Sequence, residues 1–256
     1  MMKKVLLATT AILAVSGVSA SAADLPMKAA RPMVDVAPSW AGSFIGAHLG
    51  VGRMDASTAV QSSTSSNIFS SGCSYGASCS SAATGVVGGV EIGHDWQKGS
   101  FVYGVAADWT WTDLDKTRSG STSSSNNASG YSLKHQVDWL ASFRGRMGLA
   151  VQDTLVYVTG GLALGRVGAD YRATWASNPP SVYSDMKKTR VGWVAGGGIE
   201  HRFDRKWSFK AEALYYDLGS FNTSSVCNSS AGCDATYTSN HHFSVIVGRV
   251  GVNYRF

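Results

Sequence analysis

From residue 40 onward, apolar and polar positions alternate with period two in eight segments of eleven to fifteen residues: Ser43–Arg53, Thr84–Trp96, Phe101–Trp111, Gln136–Ala150, Leu155–Gly165, Arg190–Phe203, Trp207–Leu218 and Phe243–Phe256. Successive side chains of a strand point to opposite faces, so each segment presents one apolar face and one mixed face. Three of the connections, Gln97–Ser100, Val151–Thr154 and Asp204–Lys206, are tight, and the other four run to about twenty or thirty residues rich in Ser, Asn, Gly and Thr. Short turns at one end and long connections at the other describe hairpins strung up and down. The predicted fold class is all-β, an eight-stranded antiparallel up-and-down barrel.

Alternation alone does not say which face points inward, because a soluble lipocalin-like barrel alternates too. The content of the faces decides. In Gln136–Ala150, Val137, Trp139, Ala141, Phe143, Gly145, Met147 and Leu149 oppose Asp138, Leu140, Ser142, Arg144, Arg146 and Gly148. In the last segment, Ile246, Gly248, Val250, Val252, Tyr254 and Phe256 oppose Val247, Arg249, Gly251, Asn253 and Arg255. Trp193, Ala195, Ile199 and Phe203 likewise oppose Gly196, Gly198, Glu200 and Arg202. A soluble barrel would have to bury these charges without water, whereas a membrane barrel turns the apolar face to lipid and keeps the charges in its lumen. Aromatic placement agrees with the membrane reading: an up-and-down path puts Trp40, Trp96 and Trp207 on one rim, and Trp109, Trp111, Trp139, Trp193, Tyr215 and Tyr216 on the other.

The N-terminus adds direction. Lys3 and Lys4, the apolar run Val5–Val15, and the small residues Ala20, Ser21 and Ala22 have the form of a bacterial signal peptide, with cleavage expected after Ala22 or Ala23. The run is about a dozen residues, too short to span a bilayer, and no later stretch is long and apolar enough for a transmembrane helix. The expected organisation is a signal peptide over 1–22, a periplasmic lead-in over 23–39 punctuated by Pro26, Pro32 and Pro38, and a barrel over 40–256. The formal charge of +5 falls to about +3 once Lys3 and Lys4 leave, and no basic stripe speaks for nucleic acid. Four cysteines form two local pairs, Cys73/Cys79 and Cys227/Cys233. In an exported chain two loop disulfides are the expectation, and a zinc site from the four thiols, with no close His partner, is the weaker one.

Several stretches carry a resemblance: "AADLP" after the signal, "WAGSFIGAHLG", "VDWLASFRGRMG", "YVTGGLALG", "GWVAGGGIEHRF", "WSFKAEALYYDLG" and the terminal "VGRVGVNYRF". In their order they resemble the alphaproteobacterial small outer-membrane β-barrel family, often called porin-family proteins and similar in architecture to the OmpA-type eight-stranded transmembrane barrel. The resemblance spans Ala22 to Phe256. It implies an outer-membrane location, contact with membrane lipid and lipopolysaccharide, and insertion by the outer-membrane assembly machinery, which reads a final strand ending in aromatics, here Tyr254 and Phe256. It implies no catalytic residues and no cofactor. The Ser-rich loops with their cysteine pairs depart from the family pattern, and anchoring through an OmpA-like peptidoglycan-binding domain is not expected.

The inward faces collect Glu91, Asp95, Asp108, Asp138, Glu200 and Glu212 against Arg144, Arg146, Arg202, Lys210, Arg249 and Arg255. Glu200 and Lys210 are equidistant from the turn at Asp204–Lys206 and should face each other across their hairpin. Opposite charges in a lumen that eight strands leave just wide enough for side chains predict a filled interior that holds the wall together. The expected function is a non-enzymatic structural and surface-exposed role in the cell envelope. The alternatives are a narrow channel for small solutes, or surface binding of haemin or a metal near His241 and His242. The glycine strings "VVGGVEIG" and "VAGGGIE" lack the helix and GK[ST] of a phosphate loop, and no nucleophile elbow or metal-ligand spacing accompanies them. A lipid-modifying barrel enzyme is the remaining catalytic possibility.

Overall fold

The computed structural model describes residues 39–63, 78–124, 127–175, 182–229 and 233–256. The expected signal peptide and all but the last residue of the lead-in lie outside them. Eight strands run in order: β1 Gly42–Ser63, β2 Ser78–Lys98, β3 Phe101–Ser124, β4 Asn127–Val151, β5 Thr154–Trp175, β6 Val182–Arg202, β7 Trp207–Ser229 and β8 Cys233–Arg255. Each pairs antiparallel with its sequence neighbours, and β8 closes on β1. This is the expected eight-stranded up-and-down barrel. Two of the tight turns use residues with positive φ, Gly99 at 61° and Gln152 at 54°; Gly99 occupies the left-handed region at no steric cost.

The strands are 21 to 25 residues long, far longer than the alternating segments. The described parts of the Ser/Thr/Asn/Gly stretches expected as loops form paired hairpin arms instead, as in the run of partners from Arg118↔Leu133 to Ser124↔Asn127. Above the bilayer such arms are not selected to turn one face to lipid, so their apolar alternation fades although their pairing does not. A strand of this length, tilted as in membrane barrels, rises roughly 55 Å along the axis, nearly twice the ~30 Å hydrocarbon core.

The lower half carries the lipid-facing belt. Ile45, Leu49, Ile92, Phe143, Met147, Val158 and Leu162 point outward and are exposed. Trp96 stacks on Tyr103 at 5.7 Å and Trp207 meets Tyr254 at 5.0 Å on the periplasmic rim. Trp109 stacks on Trp139 at 4.4 Å, and Trp193 lies 5.5 Å from Tyr215, on the outer rim. Two residues expected in these girdles are elsewhere. Trp40 is 0% exposed and Tyr216 is 1% exposed, both inside the barrel. Tyr216 alternates with outward Tyr215, and Trp40 precedes β1, where the chain turns it beneath the lumen rather than toward lipid. Val158 faces lipid about midway between the periplasmic turn and the outer-rim positions of β5, so Val158→Arg is expected to lower stability by about 2–4 kcal/mol, read as a shift of the urea unfolding midpoint in lipid vesicles.

Above the outer girdle the barrel divides. β2 and β3 pair only from Lys98↔Phe101 to Val87↔Thr112, and β6 and β7 only from Arg202↔Ser208 to Trp193↔Asp217. The other neighbours stay paired far higher, to Ser63↔Tyr237, Ser124↔Asn127, Ala173↔Val182 and Ser229↔Cys233. Two four-stranded sheets result, β7–β8–β1–β2 and β3–β4–β5–β6, separated by two seams. Each seam begins at a register shift, between Trp111 and Leu114 in β3 and between Asp217 and Ser220 in β7. At each of these shifts an aspartate carbonyl lies against a glycine of the neighbouring strand, Asp113 against Gly85 and Asp217 against Gly192, where a Cβ would meet the oxygen at 1.8 Å. Bulges bend a strand and terminate pairing, which is what separates the sheets here. Their facing sides are apolar: Met54, Ala56, Phe243, Val245 and Leu218 from one sheet, and Leu114, Val137, Leu140 and Val167 from the other, form one buried cluster.

Candidate functional site: the filled lumen

Strand parity places eleven of the twelve predicted lumen charges inside the barrel, each with 6% exposure or less. They form two balanced groups. In the upper group Arg249 binds Glu212 through Nη2 at 2.6 Å and Nε at 2.8 Å, Asp108 at 2.9 Å and Glu91 at 3.8 Å. Arg144 binds Glu212 at 2.8 Å and Asp108 at 3.3 Å. Lys210 binds Glu91, and Glu212 at 3.7 Å. Three carboxylates thus meet three cations, and Ser142, Thr110 and Tyr157 donate hydroxyl hydrogen bonds to the same carboxylates.

In the lower group Arg146 holds Asp95 and lies 3.2 Å from Glu200, while Arg255 reaches Asp95 at 2.9 Å and Glu200 at 3.7 Å. Ser208 and Asn253 donate to Glu200 Oε1, the oxygen that Arg255 reaches, at 2.5 and 3.2 Å. Two carboxylates meet two cations. The sixth cation, Arg202, lies over the Trp40 ring at 4.2 Å and donates to the Ser39 carbonyl at 3.0 Å. Arg255 also lies over that ring, at 5.5 Å, and donates to the Trp40 carbonyl at 2.5 Å. With Val102, Leu155 and Tyr157 packed around it, Trp40 stops the periplasmic end. The lumen is therefore filled in three layers: an aromatic stopper, the charge groups and the apolar cluster.

Two expectations are corrected. Asp138 is half exposed and pairs with Arg166 at 3.6 Å near the outer rim, not in the lumen. The register on β4 skips it between Val137 and Trp139, so alternation counted from Arg144 fails there, and Val137, expected on the lipid side, is buried inside. Glu200 and Lys210 are direct register partners, as expected, but each takes its charge partner from a strand that is not its neighbour, Glu200 from Arg146 on β4 and Lys210 from Glu91 on β2. In a narrow lumen the far wall is as close as the neighbouring strand.

Sequence reasoning missed the neutral members. His48 meets Thr110 at 3.0 Å and Arg249 at 3.2 Å, and Arg146 lies over the rings of Phe44 at 4.3 Å and Tyr157 at 5.3 Å. The same parity that gave the charges would have given them. Tyr254 and Phe256 face outward on the periplasmic rim, edge to face at 5.2 Å. His241 points inward, bonded to Thr58 at 2.9 Å and covered by the Phe221 ring at 5.4 Å, while His242 meets Ser220 at 3.2 Å on the other face. Adjacent histidines of a strand diverge, so these two form no common site. Among the described residues no group of three or more His, Cys, Asp or Glu is placed to hold a metal ion. Cys73 lies outside the described residues, as do the side chains of Cys79, Cys227 and Cys233.

Comparison with known proteins places this geometry. A family model described as outer membrane protein beta-barrel domain matches residues 10–256. The 31 kDa outer-membrane immunogenic protein of Brucella melitensis is 32% identical over 261 residues, covering 100% of both chains. The 22 kDa outer membrane protein of Rhizobium leguminosarum is 29% identical over 136 residues, covering 53% of this chain and 54% of its own. Among solved structures, the outer membrane protease OmpT of Escherichia coli superposes with a TM-score of 0.51 at 9% identity, covering 84% of this chain and 97% of that one, a likeness of fold alone. With a closed barrel, a lipid-facing belt between two aromatic rims and a family match over nearly its whole length, this chain belongs to the outer membrane protein beta-barrel family and is a protein of the outer membrane.

Proposed function

We propose that the protein is a sealed, non-catalytic scaffold of the cell envelope, which holds two β-sheets above the outer membrane as an exposed surface. The observation that carries this reading is the lumen, crossed by two neutral ion-pair groups and capped by a buried apolar layer. Buried charges paired this closely are costly to separate, so solute passage would have to break them. Membrane lipid and lipopolysaccharide contact the belt and rims, and the outward Tyr254 and Phe256 offer the assembly machinery its final-strand aromatics. The name "immunogenic" borne by the Brucella relatives fits a surface presented outside the cell. Purified barrel in planar lipid bilayers is expected to show no steady conductance. Stable openings that disappear when bulky residues replace Arg144 or Arg249 would establish the narrow channel instead.

A further inference from the structure

The two extracellular sheets meet through a histidine pair. His135 comes from β4 in one sheet and His241 from β8 in the other; their rings lie 6.1 Å apart at an interplanar angle of 62°. Both are buried, at 2% and 6% exposure, at the top of the apolar cluster. Phe243 packs edge-on against His135 at 5.8 Å, and Phe221 stacks on His241. Thr58 of β1 bonds the His241 Nδ1, whereas the His135 Nε2 is buried with no hydrogen-bond partner. Both residues stand above the outer girdle, His135 beyond Trp139 and His241 beyond Ile246, outside the lipid-spanning band.

The charged groups described around the pair lie on the neighbouring strands. Lys116 of β3 is the register partner of His135, and Lys188 and Arg190 of β6 lie over the Phe221 ring at 6.0 and 5.2 Å. On β5, Asp170 follows Ala169, the register partner of His135, and on β8 His242 is held by Ser220 on the opposite face. β2 contributes Ala83 and β7 Phe221, neither of which titrates. At the seams no ladder hydrogen bonds join the sheets among the described residues; across the β6–β7 seam Arg190 donates to the Ser220 carbonyl at 2.8 Å. Side-chain packing is what keeps the two sheets together.

We propose that this pair makes the extracellular half a proton-operated clamp: protonation of His135 and His241 parts the two sheets along both seams while the transmembrane barrel stays closed. Two imidazolium ions 6 Å apart in an apolar contact repel each other and lose their hydration, and parting the sheets relieves both costs. The register shifts at Trp111/Leu114 and Asp217/Ser220 lie at the base of the seams and serve as the hinges. Burial pushes both imidazoles down, to about 4, and His241 is lowered further by His135 beside it. The closed form thus binds fewer protons than the open form between about 4 and 6.5. Closure is complete above this window and is lost as pH falls through it, by up to tenfold per pH unit for each imidazole.

The test is a distance between the sheets in the full chain, reconstituted in lipid nanodiscs. Spin labels attached through noncanonical residues at Ser57 on β1 and Lys187 on β6, both exposed, leave the native cysteines untouched. The wild-type distance is expected to lengthen reversibly between pH 7.5 and 4, with heat-modifiable gel mobility retained as the mark of an intact barrel. His135→Phe/His241→Phe should hold the short distance throughout. His135→Gln, a milder change, should reduce the proton dependence of opening from two protons to one. The proposal is overturned by a wild-type distance that does not change, by parting of the double variant at the same pH, by an unchanged proton number in His135→Gln, or by loss of the whole barrel together with the sheets.

Discussion

Arg249→Met is expected to be among the most destabilising single substitutions in the barrel, by about 3–5 kcal/mol, measured as the urea unfolding midpoint in detergent micelles or vesicles. Arg249 is fully buried and touches three carboxylates, Glu212, Asp108 and Glu91. Methionine fills much of its volume, so the loss is mainly electrostatic: three carboxylates are left with Arg144 and Lys210. This origin can be checked with a second change. Glu212→Gln on the Arg249→Met background restores two carboxylates against two cations and should recover part of the loss, although Glu212→Gln alone destabilises. If the two losses simply add, the upper group does not act as a neutral unit. Arg249→Lys keeps the charge without the fork that reaches Glu212 through two nitrogens, and should fall between wild type and Arg249→Met.

Trp40→Ala is expected to cost about 3–5 kcal/mol, the range for emptying a large aromatic site in a core. The residue lies before the first strand, where a short N-terminal tail would ordinarily be dispensable. Its ring is instead fully buried under Arg202 and Arg255, and its backbone is tied at both ends, the N–H to Gln97 at 2.5 Å and the carbonyl to Arg255. Trp40→Phe keeps most of the packing and a face for the guanidinium groups, so its loss should be well below that of the alanine variant. A loss under about 1 kcal/mol for Trp40→Ala would show that the stopper does not stabilise the barrel.

Much of this architecture was legible in the sequence because membrane barrels obey strict parity. Counting by twos from the tight turns placed Glu91, Asp95, Asp108, Arg144, Glu200, Lys210 and Arg255 on the inward face, and it paired Glu200 with Lys210 in register. The count fails where the backbone inserts residues. Nothing in the residues around Asp138 marks the register shift that turns it toward the rim. The seams were illegible for a related reason, since Gly85 and Gly192 look like any strand glycine until the Asp113 and Asp217 carbonyls are seen against them. Charge partners across the barrel were beyond reach, because alternation reports which face a side chain takes and not what stands on the opposite wall. The strand extensions look like loops in the sequence because a hairpin arm in water needs no apolar face.

The lumen contacts also join parts of the chain that are remote in sequence. Lys210 meets Glu91 across 119 residues, Arg249 meets Asp108 across 141, and Arg255 meets the Trp40 carbonyl across 215. No four strands consecutive in the sequence contain both members of any of these contacts. A partly assembled sheet therefore gains nothing from these three contacts, which form only as the first strand meets the last. The polar interior thereby acts as a late term in folding: it favours the completed ring over every open intermediate, and ring closure becomes an all-or-none event.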